Sequence, residues 1–463
     1  MVDYQENLFE KLSRLAMDSH RKGDTKESIK WWRKSLEESP HHLGAQLNLG
    51  ALLAQTGELP GALALFDKVV SKVPDHALAH ANRAGVLRAL GDKEQALAAY
   101  DKAINCDPSF LEAKCERSEA LLHWGLYDEA LQGFNEVLAD NYNFYSALKG
   151  QALSALALEN HDVALSAFRK TQAARTLIAK NEIKISRLKL RHDREQFRWL
   201  EKFSEQVSIF DELENELVWP ENENEPIDLP SFWRTKVASF FNLPIQLGKG
   251  ELVSKPLAQN ALKSLNSFDL NDGICVIDEL LTEDAFWGLR SYLLESTIWR
   301  DFTHIDGFVA TYLEDGLASP LLLQIIKALR KTTAFSNLPL VQGWAFKGVS
   351  NDKRIGVHAD DARLSVNFWI TPDTANLKPG RGGLIVHRKV PPSSWSIGDY
   401  DQDQVSIEEW VAENDTDPIE VPYQANRAVI FDSRLFHGSG EVEFMDDYES
   451  HRINLTLLFG FPQ

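Results

Sequence analysis

A 34-residue repeat in the first third of the chain constrains its fold more than any other feature. Shifting the sequence by 34 residues superposes Gly23, Gly57, Gly91 and Gly125, and also Pro40, Pro74 and Pro108. The same register aligns five small residues and five aromatic residues: Ser28, Ala62, Ala96, Ala130 and Ala164, then Trp32, Phe66, Tyr100, Phe134 and Phe168. Because glycine permits a tight turn, a small residue lets two helices approach and proline ends a helix, each unit predicts an antiparallel helix pair.

This pattern resembles the tetratricopeptide repeat. The resemblance covers residues 7–172 in five units, and the fifth unit has Glu159 where glycine is expected. Such arrays form an α-solenoid whose concave face commonly binds an extended peptide, so the resemblance implies a protein or peptide partner. Asn48 and Asn82 share one repeat position, where they either pair with a ligand's main chain or are solvated helix residues.

A basic and then an acidic segment follow the repeats. Residues 171–202 keep a helical pattern with an excess of lysine and arginine, which we interpret as a solvated capping helix. Residues 211–225 are acidic and predict a linker. The predicted domains are therefore a repeat array over 1–172, a helical cap with an acidic linker over 173–228, and a second domain over 229–463.

The second domain has a different pattern. Residues 273–295 predict a strand followed by a helix, and another helix is expected over 319–331. Alternating polar and apolar residues then predict strands in five segments: LVQGWAFKGV, RLSVNFWI, GGLIVH, RAVIFD and RINLTLLFG. Several strands separated by turns, with helices at the front, favour a jelly-roll or a similar antiparallel barrel.

Two histidines and an aspartate within this region predict a metal site. In an extended segment, His358 and Asp360 point the same way about 6.5 to 7 Å apart, so they can hold one cation between them. A third ligand, His437, would complete the set of two histidines and one carboxylate that is typical of non-heme Fe(II) oxygenases. A second His-x-Asp motif, His304 to Asp306, precedes the strands, and we interpret it as a chance copy.

The last predicted strand adds a site for an anion. Arg452, Asn454 and Thr456 fall on one face, where the guanidinium can bind a carboxylate in a bidentate manner and the other two can add hydrogen bonds. The alternative is a solvated strand face with a surface arginine. Three further residues are candidates for contacts with a substrate or cosubstrate: Tyr312, Lys347 and Asn367. His387 and His451 are interpreted as structural or surface residues.

The order of these motifs resembles the Fe(II)/2-oxoglutarate-dependent dioxygenases, over residues 270–463. The resemblance implies a double-stranded β-helix with flanking helices, and O₂-dependent oxidative decarboxylation of 2-oxoglutarate coupled to hydroxylation. It assigns His358, Asp360 and His437 as the Fe(II) ligands and Arg452 as the residue that holds the distal carboxylate of 2-oxoglutarate. Asn454 departs from the family, because many members have serine or threonine at that position.

Together, the two halves predict a dioxygenase that hydroxylates a protein or peptide captured by the repeats. One alternative is a small-molecule hydroxylase similar to the phytanoyl-CoA group, with the repeats used for assembly. Another is a non-enzymatic repeat scaffold. The oligomeric state and the identity of the substrate stay open.

Composition limits the other function classes. The 49 basic and 68 acidic residues give a net charge of −19, which argues against binding to nucleic acid or to an anionic membrane. Three cysteines without paired spacing suit a reducing compartment. The charged amino end differs from a signal peptide and no long apolar run occurs, so a cytoplasmic protein is expected.

Overall fold

The computed structural model describes residues 7–179, 184–269, 273–350, 353–392, 395, 404–415 and 417–461. The predicted charged amino end lies partly outside these residues, and so does a short part of the basic segment, residues 180–183. The chain divides into two compact units, Met1–Tyr142 and Asn143–Gln463.

The described part of the first unit consists of antiparallel helix pairs. They are α1 (Leu8–Arg21) with α2 (Thr25–Glu38), α3 (Leu43–Gln55) with α4 (Leu59–Lys72), α5 (Ala77–Ala89) with α6 (Lys93–Cys106), and α7 (Leu111–His123) with α8 (Tyr127–Asp140). The turn glycines adopt positive φ, from 77° to 80°, as their predicted role requires. The aligned small residue of each pair is fully buried, which confirms the predicted repeats.

The fifth helix pair, α9 (Tyr145–Ala157) and α10 (His161–Ala179), belongs to the second unit. Glu159 takes the left-handed turn conformation of the missing glycine, with φ of 57°. The Gln172 side chain donates a hydrogen bond to the carbonyl of Asp315 at 2.7 Å. The Arg330 guanidinium donates to the carbonyls of Leu156 and Ala157 at 2.8 and 3.1 Å. The boundary between the compact units therefore lies one helix pair before the predicted end of the repeats.

The segment after the repeats differs from the prediction. It contains β1 (Lys184–Ile185), α11 (Arg187–Leu200), α12 (Ser204–Glu216), β2 (Ile227–Asp228) and α13 (Ser231–Val237). Helix α11 is not a solvated cap, because its Lys189, His192, Asp193 and Gln196 are buried. Lys189 forms a buried ion pair with Asp193 one turn away, whereas Arg191 and Arg198 stay partly exposed and pair with acidic residues of the following segment. Residues 211–216, predicted as linker, lie in α12.

Two antiparallel sheets and the helices around them form the rest of the second unit. The larger has the order β3-β9-β6-β11-β5-β4 and the smaller the order β10-β7-β8. The strands are β3 (Ile274–Ile277), β4 (Phe308–Tyr312), β5 (Leu340–Gly348), β6 (Leu364–Trp369), β7 (Leu384–Val386), β8 (Ile419–Val421), β9 (Ala428–Asp432), β10 (His437–Ser439) and β11 (Ile453–Phe459). The helices are α14 (Gln259–Ser267), α15 (Glu283–Glu295), α16 (Pro320–Arg330) and α17 (Gln404–Asn414). The predicted strands and both predicted helices are confirmed.

The two sheets share an apolar core. The larger sheet contributes Trp369, Val429 and Phe431, and the smaller sheet and its loops contribute Leu384, Val386, Tyr423 and Phe444. The described residues include no helix with the length and apolar character needed to cross a membrane.

Register places polar and aromatic residues in rows across the larger sheet. One row runs through Tyr312, Trp344, Thr456 and Asn367, on β4, β5, β11 and β6 in turn. Residues directly opposite each other in antiparallel strands point to the same face. The neighbouring row contains Phe346 opposite Asn454.

Candidate metal centre and adjoining pocket

The predicted metal ligands lie together. His358 and His437 pair as an isolated antiparallel bridge, in which each amide donates to the other's carbonyl, at 2.9 and 2.8 Å. The Asp360 amide donates to the Ser433 carbonyl at 2.9 Å, which extends this pairing. One ligand atom from each of His358, Asp360 and His437 lies within 4.8 Å of the others. The bridge therefore brings a ligand at the start of β10 to the segment that precedes β6.

Hydrogen bonds orient both imidazole rings toward the carboxylate. The Nδ1 atom of His358 lies 3.0 Å from the Gly356 carbonyl, and that of His437 lies 2.9 Å from the Leu435 carbonyl. In each ring Nε2 therefore faces Asp360, at 3.8 Å for His358 and 3.4 Å for His437. A histidine that donates Nδ1–H to a carbonyl presents a neutral Nε2, which is the usual arrangement for a metal ligand.

The Asp360 carboxyl is held in its ionised form. Burial alone would raise its pKa, but the interactions with His437 and His358 and a hydrogen bond from Ser365 outweigh burial and lower the pKa below its usual value. The Ser365 hydroxyl donates to Asp360 Oδ2 at 3.0 Å and lies 2.9 Å from the Ser433 hydroxyl. Sequence reasoning missed both serines, since hydroxyl groups this far from the motif carry no local signal.

Arg452 lies in the pocket next to these ligands. Its side chain is 2% exposed, and its Nε donates to the Gly382 carbonyl at 2.9 Å. Its Nη1 has no hydrogen-bond partner among the described residues. Burial lowers the pKa of the guanidinium to about 10, which still leaves it charged at neutral pH. A buried cation without a counter-ion is costly, so the pocket is suited to receive an anion.

Two amides share this pocket. Asn367 and Asn454 are buried, and the Oδ1 of each lacks a partner in the described part of the chain. The Asn454 amide nitrogen donates to the Thr456 hydroxyl at 3.4 Å. The structure thus brings Arg452, Asn454, Thr456 and Asn367 together, as the sequence predicts.

Aromatic and aliphatic side chains complete the pocket. Trp344, Phe346, Ile355 and Leu384 line it together with the polar residues. These four were not identified from the sequence, although Trp344 and Phe346 alternate along β5 with the period of one strand face.

The second His-x-Asp motif takes no part in the metal centre. His304 and Asp306 are exposed in the turn before β4, and His304 stacks on Phe346 with 6.2 Å between the ring centres. Among the described residues, the cluster suited to a metal ion is the one that contains His437.

The remaining candidates are placed elsewhere. Lys347 is fully buried on the opposite face of β5 from Trp344 and Phe346, so it is not available to a ligand in the pocket. His451 is also buried on that side of the sheet, near His192 and Lys347. His387 pairs with Asp415 at 3.1 Å and has a structural role, as predicted. Tyr312 ends the row that contains Trp344.

Comparisons with known proteins define the class of the amino-terminal region. Sequence models of the tetratricopeptide repeat match residues 20–85 and, in two segments, 62–109 and 115–176. This region therefore consists of tetratricopeptide repeats, which generally mediate interactions between proteins. No curated protein matches the chain.

Solved structures similar to the chain include MamA, with 20% identity over 38% of this chain and 98% of that one, at a TM-score of 0.33. Another is a thermophilic tetratricopeptide repeat protein from Thermus thermophilus, with 19% identity over 36% of this chain and 91% of that one, at a TM-score of 0.33. A third is a tetratricopeptide repeat protein from Parabacteroides merdae, with 24% identity over 36% of this chain and 66% of that one, at a TM-score of 0.32.

Proposed function

We propose that the protein is an Fe(II)- and 2-oxoglutarate-dependent dioxygenase that hydroxylates a protein or peptide bound by its repeats. In this proposal the two sheets are the halves of a double-stranded β-helix. One observation carries the proposal: two histidines of the cluster formed by His358, Asp360 and His437 line the same pocket as the buried Arg452, whose Nη1 lacks a hydrogen-bond partner among the described residues.

His358, Asp360 and His437 would hold the iron. Two neutral imidazoles and one carboxylate on one side of an octahedral ion leave positions for a cosubstrate and O₂. The iron would supply the oxidising chemistry, coupled to decarboxylation of 2-oxoglutarate to succinate. The backbone hydrogen bonds of both histidines and the Ser365 hydrogen bond to Asp360 would keep the three ligands oriented.

Arg452 would bind the distal carboxylate of 2-oxoglutarate. Its unpartnered Nη1 is a donor in the same pocket as the metal ligands, and a carboxylate there would offset the cost of burying the guanidinium. The Asn454 amide replaces the hydroxyl that many family members have, and it can donate to the same carboxylate. Asn367 supplies a second amide one row away on the neighbouring strand.

The tetratricopeptide repeats favour a protein or peptide as the hydroxylated substrate. In the first unit, Asn48 is exposed and Asn82 is half-buried, so both are accessible to a partner. The same repeats would also suit a scaffold without enzymatic activity. The buried Arg452, whose Nη1 has no hydrogen-bond partner in the described part of the chain, favours the enzyme over the scaffold, because such a group destabilises a domain that has no ligand for it.

The test is 2-oxoglutarate turnover by the full-length protein. Purified protein with Fe(II), ascorbate, O₂ and 2-oxoglutarate, with and without a size-fractionated cell extract, is assayed for succinate. We expect succinate from the wild type and from the His304→Ala control, but not from His437→Ala. Stimulation by the macromolecular fraction supports a polypeptide substrate, whereas stimulation by the small-molecule fraction supports the alternative hydroxylase. Absence of 2-oxoglutarate binding in calorimetry with Mn(II) present would contradict the proposal.

A further inference from the structure

The larger sheet changes from polar to aromatic along the row that lines the pocket from Asn367 to Trp344 and continues beyond the pocket to Tyr312. In the row defined above, β6 and β11 contribute Asn367 and Thr456, whereas β5 and β4 contribute Trp344 and Tyr312. Since neighbouring strands are about 4.8 Å apart, the row spans about 14 Å from Asn367 to Tyr312. The two ends of this face are therefore far enough apart to bind different molecules.

The polar end is suited to an anion and the aromatic end is not. Among the described residues that line the pocket, the titratable ones are His358, His437 and Arg452. If the histidines hold the metal and Arg452 holds 2-oxoglutarate, as in the proposed function, no charged side chain of the lining is left for a second substrate. Trp344 is half-buried, so part of its ring remains accessible to that substrate.

The charged groups around Tyr312 already have partners. The Tyr312 hydroxyl donates to Asp301 Oδ2 at 3.0 Å, and the Arg175 guanidinium lies 5.9 Å from the centre of the Tyr312 ring. Arg175, which comes from α10 of the fifth helix pair, forms an ion pair with the buried Asp315 at 3.1 Å. These contacts hold the Tyr312 ring, and they give Arg175 and Asp315 an ion-pair partner in each other beside it.

We propose that Trp344 and Tyr312 form a subsite for an uncharged apolar or aromatic side chain of a peptide substrate. The subsite excludes aspartyl and lysyl side chains, because a buried charge without a partner is costly. Arg175 acts as a positioning residue for Tyr312, so the last repeat contributes to substrate selection. This inference rests on the proposed function, which assigns the polar end to 2-oxoglutarate.

The experiment measures peptide binding to the full-length protein loaded with Mn(II) and 2-oxoglutarate. Pentapeptides with a central leucyl, prolyl, phenylalanyl, aspartyl or lysyl residue between glycines are titrated, and Mn(II)-induced relaxation of the peptide protons reports binding near the metal. Zn(II) is the diamagnetic control. We expect at least one of the three apolar peptides to bind about tenfold more tightly than both charged ones, which corresponds to burial of one apolar side chain.

Variants locate the subsite. Trp344→Ala should weaken binding of that apolar peptide by about tenfold, and Trp344→Phe should restore part of the affinity. Trp287→Ala is the matched control, because Trp287 is 48% exposed on α15 and does not line the pocket. Arg175→Met tests positioning: it should weaken the apolar peptide while leaving the affinity for 2-oxoglutarate unchanged.

The outcomes that overturn the inference are distinct from those that overturn the proposed function. Equal or tighter binding of the aspartyl or lysyl peptide, no binding by any peptide, or unchanged affinity in Trp344→Ala would each show that the inference is wrong. If the wild type does not bind 2-oxoglutarate but Trp344→Ala still weakens binding of the apolar peptide, the proposed dioxygenase function is wrong. The inference of an apolar subsite is then retained.

Discussion

Lys347 Nζ lies 3.1 Å from the centre of the Tyr448 ring, on the opposite face of the larger sheet from the candidate metal centre. The amine is fully buried and has no hydrogen-bond partner among the described residues. Burial lowers the pKa of Lys347 well below its usual value, against the opposing charge of Glu195. Burial beside Tyr448 therefore disfavours the charged form of Lys347.

We predict that Lys347→Met stabilises the second unit by about 1 to 3 kcal/mol, since a buried unpaired amine is replaced by an apolar side chain of similar length. Because the pKa of Lys347 is lower in the folded state than in the unfolded state, the unfolded state binds more protons between the two pKa values, and stability rises with pH in that range. Urea unfolding at several pH values should show a weaker pH dependence in the variant. Lys249→Met, at an exposed lysine, is the control.

His451 should make the wild type sensitive to acid. Burial lowers the pKa of His451 to about 2. The unfolded state therefore binds a proton below about pH 6.5 that the folded state excludes, and stability falls as the pH decreases from there. His451→Leu should lose part of this dependence in thermal unfolding between about pH 4 and pH 7. If the stability of His451→Leu falls with decreasing pH as steeply as that of the wild type, groups other than His451 cause the loss of stability in acid.

Metal binding should depend on one His-x-Asp motif and not on the other. We predict that His358→Ala, Asp360→Ala and His437→Ala each weaken Mn(II) binding by about a hundredfold or more, because each removes a direct ligand. Anaerobic calorimetry is the measurement, and His304→Ala with Asp306→Ala is the control. If His304→Ala and Asp306→Ala weaken Mn(II) binding and the other three variants do not, the metal is bound by the other His-x-Asp motif.

Arg452 should control affinity for 2-oxoglutarate. We predict that Arg452→Ala raises the KM for 2-oxoglutarate at least about tenfold, since loss of one partner of a buried charge pair costs about 2 to 5 kcal/mol. Arg452→Lys should restore only part of the affinity for 2-oxoglutarate, because an amine cannot bind a carboxylate in the bidentate manner of a planar guanidinium. Calorimetric binding of 2-oxoglutarate to the Mn(II) form separates this effect from a change in chemistry. An unchanged constant in both variants would place the cosubstrate elsewhere.

The effect of an amino-terminal truncation should depend on whether it ends at residue 142, the boundary between the compact units, or beyond it. Removing residues 1–142 keeps the fifth helix pair and should leave uncoupled succinate formation intact, while turnover of a captured polypeptide falls mainly through its KM. Removing residues 1–172 also deletes α9 and most of α10. The protein then loses the α9 carbonyl that accepts from Arg330 and the Gln172 side chain that donates to Asp315, so its melting temperature should fall. Circular dichroism on both truncations distinguishes these results.

Local patterns in the sequence were enough to predict the repeats and the strands, and together with the family resemblance they predicted which residues form the candidate metal cluster. The turn glycines, the buried small residues and the alternating strands follow from backbone geometry and from burial within a few residues. The convergence of His358, Asp360 and His437 was predictable because His358 and Asp360 are two residues apart, and because the family resemblance supplied the third ligand.

Tertiary structure alone decided the burial of α11, the place of the fifth helix pair and the faces of β5. One face of α11 is buried because the helix packs against residues distant in sequence, where Gln196 donates to the Leu294 carbonyl. Likewise, alternation separates Lys347 from Trp344 and Phe346, but only the pairing of β5 with β4 and β11 shows which face lines the pocket. The physical reason is that strand partners and the burial of a helix face depend on long-range contacts, which no local period encodes.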